Sequence, residues 1–215
     1  MKTLLATATA AAVAATMAQA SGPVATPYQP PVMVPVPSTY DWSGAYAGLG
    51  LTYGRMNMDT NGVLPSYPDA SGAGVSAIAG YNWQSGSMVY GAEVALDFSN
   101  RSGTNDCGVP GNTCDTSVEN QASVRGRVGY AMDTSLMFMT VGYATDARSV
   151  TGTMGSGSAR FNGPMLGFGY EQAVGGGDWT MRGDIEHYFY GSETLNGVST
   201  DGTSNLLRLS LIRRF

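Results

Sequence analysis

The alternation near the C-terminal end constrains this chain more than any other feature. Leucine occupies every second position from Leu207 to Leu211, polar residues lie between the leucines, and the last residue is Phe215. A period of two is that of a β-strand with one apolar face. That face must be covered either by a protein core, as in a soluble sandwich, or by lipid, as on the outside of a membrane barrel.

The N-terminal segment predicts export. Met1-Lys2 is followed by an uncharged, alanine-rich run that ends at Ala18-Gln19-Ala20, which matches a signal peptide over residues 1–20, cleaved after Ala20. The run is shorter than the ~20 apolar residues that a spanning helix requires. Residues 21–41 contain six prolines and predict an extended periplasmic linker, so the folded domain is expected over residues 42–215.

Composition narrows the classes of partner. Without the predicted leader, ten arginines stand against sixteen acidic side chains, and no lysine remains. This balance argues against a nucleic-acid partner, because phosphate backbones are bound by cationic surfaces. Cys107 and Cys114 predict a disulfide in an oxidising compartment, since two thiols without a nearby histidine cannot complete a zinc site. No metal or cofactor is expected.

Alternation recurs in eight segments, each near the ~10 residues needed to cross a membrane at a tilt. The segment near residues 136–145 is apolar on both faces, which leaves its register open. Short connections are expected at 84–87, 132–135 and 173–178, and long polar ones at 56–72, 100–116, 146–159 and 191–203. The pattern predicts an all-β, eight-stranded antiparallel transmembrane up-and-down β-barrel in the outer membrane of a Gram-negative bacterium.

Charged side chains take the face opposite the apolar one, which in a barrel is the interior. An interior charge network is predicted from Glu93, Asp97, Glu119, Arg125, Arg127, Glu171, Arg182, Asp184, Glu186 and Arg208. These charges must pair, because an unpaired ion in a narrow lumen is costly. Glu93 and Asp97 are expected within reach of Arg125 and Arg127 on the neighbouring strand.

Large aromatic residues cluster at the short-turn end of the predicted strands. An aromatic girdle at one bilayer interface is predicted from Trp42, Trp83, Tyr130, Trp179 and Phe215. A soluble sandwich gives no reason for such a cluster, so it favours the membrane interpretation.

No catalytic constellation emerges from the sequence. His187, the single histidine, is followed by Tyr188 and Phe189, whereas a lipid-deacylating barrel would carry a serine two positions later. Arg182-Gly183-Asp184 spells an integrin-binding tripeptide, but it lies within a predicted strand. The chain is therefore expected not to be an enzyme.

Several segments carry a family resemblance: 40–48, 90–93, 123–130, 167–171 and the terminal Phe215. They resemble the small outer-membrane immunogenic proteins of α-proteobacteria, which belong to the opacity-type, outer-membrane-protein-A-like barrels. The resemblance implies a surface-exposed structural protein whose closing strand, with Leu207, Leu209, Leu211 and Phe215, serves as the assembly signal. Arg213 departs from the family, which usually has an aromatic residue there.

The expected function is therefore structural. The protein should contribute to envelope integrity, present surface-exposed loops, and have outer-membrane lipid, lipopolysaccharide and the outer-membrane assembly machinery as partners. Two alternatives stay open: a surface binding or adhesion module that acts through the long loops, and a small-solute channel. The sequence gives no surface ligand.

Overall fold

The structure is a computed structural model that describes residues 40–60, 62, 67–153, 155–175, 177–195 and 197–215. The predicted signal peptide and nearly all of the predicted linker lie outside these residues. The strands are β1 (Gly44–Asp59), β2 (Ala70–Ser85), β3 (Met88–Asn105), β4 (Cys114–Met132), β5 (Ser135–Gly152), β6 (Gly155–Val174), β7 (Trp179–Leu195) and β8 (Val198–Arg214).

The strands form one closed sheet. Each pairs antiparallel with the next along the chain, and β8 pairs with β1. Closure leaves no free strand edge over the part of the barrel nearer the short-turn end, whereas the β6–β7 ladder stops at Met165↔Tyr188 and the outer extensions of these two strands are not paired with each other. The eight-stranded antiparallel barrel predicted from the alternation is confirmed.

The described part of the chain contains no helix that is both long and apolar enough to cross a membrane.

Side chains alternate between the outside and the interior along each strand. On β3, Tyr90, Val94 and Phe98 are about half exposed, whereas Glu93 and Asp97 are at most 2% exposed. On β5, whose register the sequence left open, the interior side is the one that carries Phe138. The fold is therefore apolar on the outside and charged within, the reverse of a soluble domain.

The strands extend further than the sequence suggested, and the predicted long connections are wrong in extent. Strands are joined at one end, the short-turn end, by 86–87, 133–134 and 175–178, and at the other, the outer end, by 60–69, 106–113, 153–154 and 196–197. Ladder pairs such as Val150↔Gly157 and Glu193↔Thr200 lie inside the predicted loops. Glycine, serine and threonine suggested loops there, but an extension whose outward side faces water can carry polar residues on that side and still pair as a strand.

The sequence placed Glu119 in the interior, and the structure corrects this. The pairing register of β4 shifts between Val118 and Gln121, so that Glu119 and Asn120 are both exposed. Alternation resumes with Val118 inside the barrel, at 0% exposure. A register irregularity of this kind reverses the parity beyond it, which an unbroken period of two cannot anticipate.

Four of the five residues predicted for the aromatic girdle are exposed on the outside of the barrel. Trp83, Tyr130, Trp179 and Phe215 are between 45% and 73% exposed at the short-turn end. Phe189 is also exposed and lies ten residues along β7 from Trp179. Ten residues of a tilted strand span about 25 Å, which is the height of the apolar band of an outer-membrane barrel.

The prediction for Trp42 is wrong, because its indole is fully buried. Trp42 has the same parity as Tyr46, which faces the interior, and it precedes the first residue of β1. Its ring packs against Val89, Leu136 and Phe138 inside the short-turn end of the barrel. Proximity to a strand end was therefore insufficient to assign it to the girdle.

The closed ladder predicts resistance to dissociation in detergent. The chain 42–215, folded in detergent micelles, should give β-type circular dichroism and migrate faster on a cold gel than after boiling. Every backbone hydrogen bond of the membrane-spanning part is internal, so detergent alone cannot replace it. Helical dichroism, or identical mobility before and after boiling, would contradict the barrel.

Candidate functional site in the barrel interior

Nine of the ten predicted interior charges lie inside the barrel. Each is at most 4% exposed: Glu93, Asp97, Arg125, Arg127, Glu171, Arg182, Asp184, Glu186 and Arg208. Glu119 is the exception described above. Charges removed from water in this way must be neutralised by one another.

Glu93 on β3 is the first centre of the network. Its carboxylate accepts a hydrogen bond from Arg125 Nε at 2.6 Å and one from the Tyr46 hydroxyl at 2.7 Å. Arg182 on β7 also donates to it. Glu93 and Arg125 are register partners on neighbouring strands, whereas Arg182 reaches Glu93 across the lumen.

Glu186 on β7 is the second centre. It accepts hydrogen bonds from Arg125, Arg208 and the Tyr188 hydroxyl. Arg208 donates in turn to Asp97 at 2.8 Å. Arg125 therefore bridges Glu93 and Glu186, and the chain of ion pairs links β3, β4, β7 and β8 through the middle of the barrel.

A further group of ion pairs lies toward the short-turn end. Arg127 donates to Glu171 at 3.0 Å, and the hydroxyl of Thr180 donates to the same carboxylate at 2.7 Å. Arg214 lies 3.7 Å from Glu171, and Arg182 lies 2.7 Å from Asp184. Each carboxylate predicted for the interior and found there thus has an arginine partner.

Sequence analysis missed a third layer of polar residues, nearer the outer end. Arg148 donates to both oxygens of Asp146, at 3.0 and 3.1 Å, and Arg101 donates to Gln121 at 3.1 Å. The sequence pattern predicts long loops at Arg101, Asp146 and Arg148, and this prediction is wrong. The available signal was parity, because Arg101 shares the odd numbering of Glu93 and Asp97 on β3.

Apolar clusters close the lumen on both sides of the charges. At the short-turn end, Phe138 packs with Trp42, and the guanidinium carbons of Arg127 and Arg182 lie 3.8 and 4.6 Å from its ring centre. At the outer end, the buried cluster contains Tyr67, Cys107, Cys114, Ala144, Val150, Phe161, Met165, Tyr188, Tyr190 and Leu206. Cys107 and Cys114 are joined by a disulfide within it.

Inward-facing glycines show how narrow the interior is. A Cβ atom at Gly91 would lie 2.8 Å from the side chain of Arg127 and 2.3 Å from that of Asn82. A Cβ atom at Gly54 would lie 2.8 Å from the guanidinium group of Arg101. Glycine at these positions makes the space that the arginine side chains occupy.

The structure also places the integrin-type tripeptide and the single histidine. Arg182 and Asp184 of the integrin-type tripeptide are both 2% exposed inside the barrel. His187 faces outward, with Nδ1 2.7 Å from the side-chain oxygen of Asn205 and its ring edge-on to Phe189. Within the described ranges, no group of three or more histidine, cysteine or acidic residues is arranged to hold a metal ion.

The closing strand presents its predicted face to the outside. Leu207, Leu209 and Leu211 are between 47% and 61% exposed, and Phe215 is 73% exposed. β8 pairs with β1 from Arg214↔Tyr46 to Asp201↔Asp59, so these residues lie on the seam that completes the barrel.

The outward apolar band, the closed ladder and the filled lumen define an outer-membrane β-barrel. The model of the outer membrane protein beta-barrel domain family matches residues 4–215. The chain belongs to this family.

Curated relatives include outer-membrane proteins of α-proteobacteria. The 22 kDa outer membrane protein of Rhizobium leguminosarum bv. viciae is 35% identical over 144 residues, 65% of this chain and 61% of that protein. The 25 kDa outer-membrane immunogenic protein of Brucella ovis is 35% identical over 118 residues, 54% of this chain and 55% of that protein. The matches thus span little more than half of the relatives' length.

Among solved structures, Neisserial surface protein A matches with a TM-score of 0.52 and 14% identity, over 80% of this chain and 98% of that one. At this identity the likeness concerns the fold. The expected resemblance to the outer-membrane immunogenic proteins is confirmed by the family match and the curated relatives.

The network predicts that neutralising a buried carboxylate lowers the free energy of unfolding more than neutralising an exposed one. Glu93→Gln should lower the free energy of unfolding by ~3–5 kcal/mol, because it leaves arginine charges buried without their partner. Glu193→Gln is the matched control, since Glu193 is exposed at the outer end of β7. Urea unfolding of both variants in lipid vesicles measures the difference; equal midpoints would show that Glu93 is solvated.

Proposed function

We propose that the protein is a structural component of the outer membrane that contributes to envelope integrity and presents the outer ends of its strand hairpins at the cell surface. On this proposal residues 1–20 are a signal peptide cleaved after Ala20, and residues 21–41 are a periplasmic linker. The observation that carries the proposal is a lumen filled by arginine–carboxylate pairs between two apolar clusters. Such an interior stabilises the barrel and leaves no pathway for ions or small solutes.

The filled lumen argues against the channel alternative. An eight-stranded barrel has an interior just wide enough to be filled by side chains. Here Arg125 joins Glu93 to Glu186 across it, and rings such as Phe138 and Phe161 are buried at either side of the charges. Opening a path would separate buried ion pairs, which is costly.

The surroundings of His187 argue against an enzyme. A catalytic histidine needs a nucleophile within hydrogen-bond reach and a third group that orients it. The hydrogen-bond partner of His187 is the amide of Asn205, and its ring contact is Phe189. An interfacial histidine without catalysis accounts for this arrangement.

A closed lumen predicts that the inserted protein conducts no ions. The purified protein, inserted in a planar lipid bilayer in salt solution, should give no unitary conductance steps, because no continuous water path crosses the ion-pair layer. Insertion is verified separately by protease protection. Reproducible steps that scale with the amount of inserted protein would contradict the structural proposal and restore the channel alternative.

The closing strand predicts a dependence of assembly on its last residue. Deletion of Phe215 should cause periplasmic accumulation or degradation, because by family resemblance the assembly machinery recognises the terminal aromatic residue. A sheet that is not assembled and closed leaves unpaired backbone groups in hydrocarbon, each costing several kcal/mol. Arg213→Tyr, which restores the aromatic residue usual in the family, should leave outer-membrane levels the same or higher. Cell fractionation and surface labelling measure both. Normal surface levels of the deletion variant would refute the assigned role of Phe215.

A further inference from the structure

Arg213 is the charged residue that the structural role does not explain. It lies on the outward, lipid-facing side of β8, in line with Leu209 and Leu211, and close to the short-turn end. Within the part of the chain that the structure describes, it makes no ion pair, whereas six of the seven interior arginines do and the seventh, Arg101, donates to Gln121 and Ser204. An unpaired charge on a lipid-facing surface is costly unless a polar partner meets it.

Two aromatic rings hold the Arg213 guanidinium group at this interface. Its central carbon lies 5.9 Å from the ring centre of Trp179 and 5.6 Å from that of Phe215. Trp179 is its register partner on β7, and Ala47 is its register partner on β1. Cation–π contacts engage the face of the guanidinium, so its N–H groups stay available for an anion. The small Ala47 side chain leaves room for one.

An apolar groove lies beside Arg213 on the outside of the barrel, on the side toward the bilayer centre. It has a volume of about 610 Å³ and is lined by Leu49, Leu51, Val75, Ala77, Leu209 and Leu211. Leu211 is the next outward-facing residue after Arg213. Ala77 keeps the floor of the groove low, since its methyl group is too small to fill it.

We propose that Arg213 and this groove form a binding site for an anionic phospholipid of the inner leaflet. The guanidinium group pairs with the lipid phosphate, the rings of Trp179 and Phe215 lie at the level of the ester groups, and one acyl chain occupies the groove. The positive charge at the interface and the apolar groove beside it, toward the bilayer centre, match the two parts of such a lipid. This inference goes beyond the structural function and adds a preferred lipid.

The choice of an anionic lipid rests on charge complementarity. A zwitterionic headgroup brings its own cation near the arginine, whereas phosphatidylglycerol brings a net negative charge. One cationic side chain near a membrane surface gives about a fivefold preference for an anionic lipid. Lipopolysaccharide is excluded as the occupant, because the proposal places Arg213 at the periplasmic end and lipopolysaccharide lies in the opposite leaflet.

Tryptophan fluorescence tests the proposal, because Trp179 contacts the site. In a Trp83→Phe background the two remaining indoles are Trp179, which is exposed, and Trp42, which is fully buried. The barrel is reconstituted in phosphatidylcholine vesicles that contain increasing fractions of brominated phosphatidylglycerol, or of brominated phosphatidylcholine as the reference lipid. Quenching of Trp179 gives the relative binding constant of the two lipids.

The expected result is a preference for phosphatidylglycerol of about fivefold. Arg213→Gln should reduce it to about one, whereas Arg55→Gln, which removes an exposed arginine at the other end of β1, should leave it unchanged. Gel mobility before and after boiling verifies that each variant is folded. Equal quenching by both lipids, or a preference that survives Arg213→Gln, would overturn the proposal.

A second variant tests the groove. Ala77→Phe fills its floor and leaves Arg213 in place, so quenching of Trp179 by phosphatidylglycerol brominated on its acyl chain should fall at least twofold. If Ala77→Phe leaves this quenching unchanged, the interaction is with the headgroup alone and the groove is not part of the site.

Discussion

The buried arginine–carboxylate network is the interaction on which the rest of the structure depends. The lumen is too narrow to hydrate thirteen charged side chains, six acidic and seven arginine, that are almost fully buried in it. A buried charge needs an opposite charge or several hydrogen-bond partners. Twelve of the thirteen lie in ion pairs, and Arg101 donates to Gln121 and Ser204. Because most of the pairs join different strands, as with Glu93 on β3 and Arg182 on β7, satisfying the charges also fixes strands on opposite walls of the barrel relative to one another.

The apolar exterior is the counterpart of this charged interior. With the charges inside, the outward positions are free to be apolar, and Leu207, Leu209 and Leu211 on the closing strand are about half exposed or more. In water this surface would favour aggregation, whereas in a bilayer it is solvated by acyl chains. Aromatic rings at the short-turn end mark the level where the apolar band meets polar headgroups. Arg213, placed between two of these rings, is the one outward feature of the closing strand suited to recognising a headgroup.

Much of the fold followed from period-two alternation, because strand parity determines which side chains share a face. That rule alone placed Glu93, Arg125 and Arg182 together inside a barrel. The errors arose where another constraint intervened. A register shift in β4 places Glu119 on the outside of the barrel. The side chain of Trp42 lies inside the barrel, although Trp42 precedes the first residue of β1. The sequence predicts loops where the strand extensions hold Arg101, Asp146 and Arg148, because a glycine- and serine-rich composition carries no signal of a membrane face.

A double-mutant cycle between Glu93 and Arg182 tests most directly whether the network holds opposite walls of the barrel together. Glu93→Gln, Arg182→Gln and the double variant would be unfolded by urea in lipid vesicles. If the two side chains pair across the lumen, the effects on the free energy of unfolding should be non-additive by about 1–3 kcal/mol, within the range found for residues in one buried network. Additivity within about 0.5 kcal/mol, the behaviour of independent sites, would contradict the account.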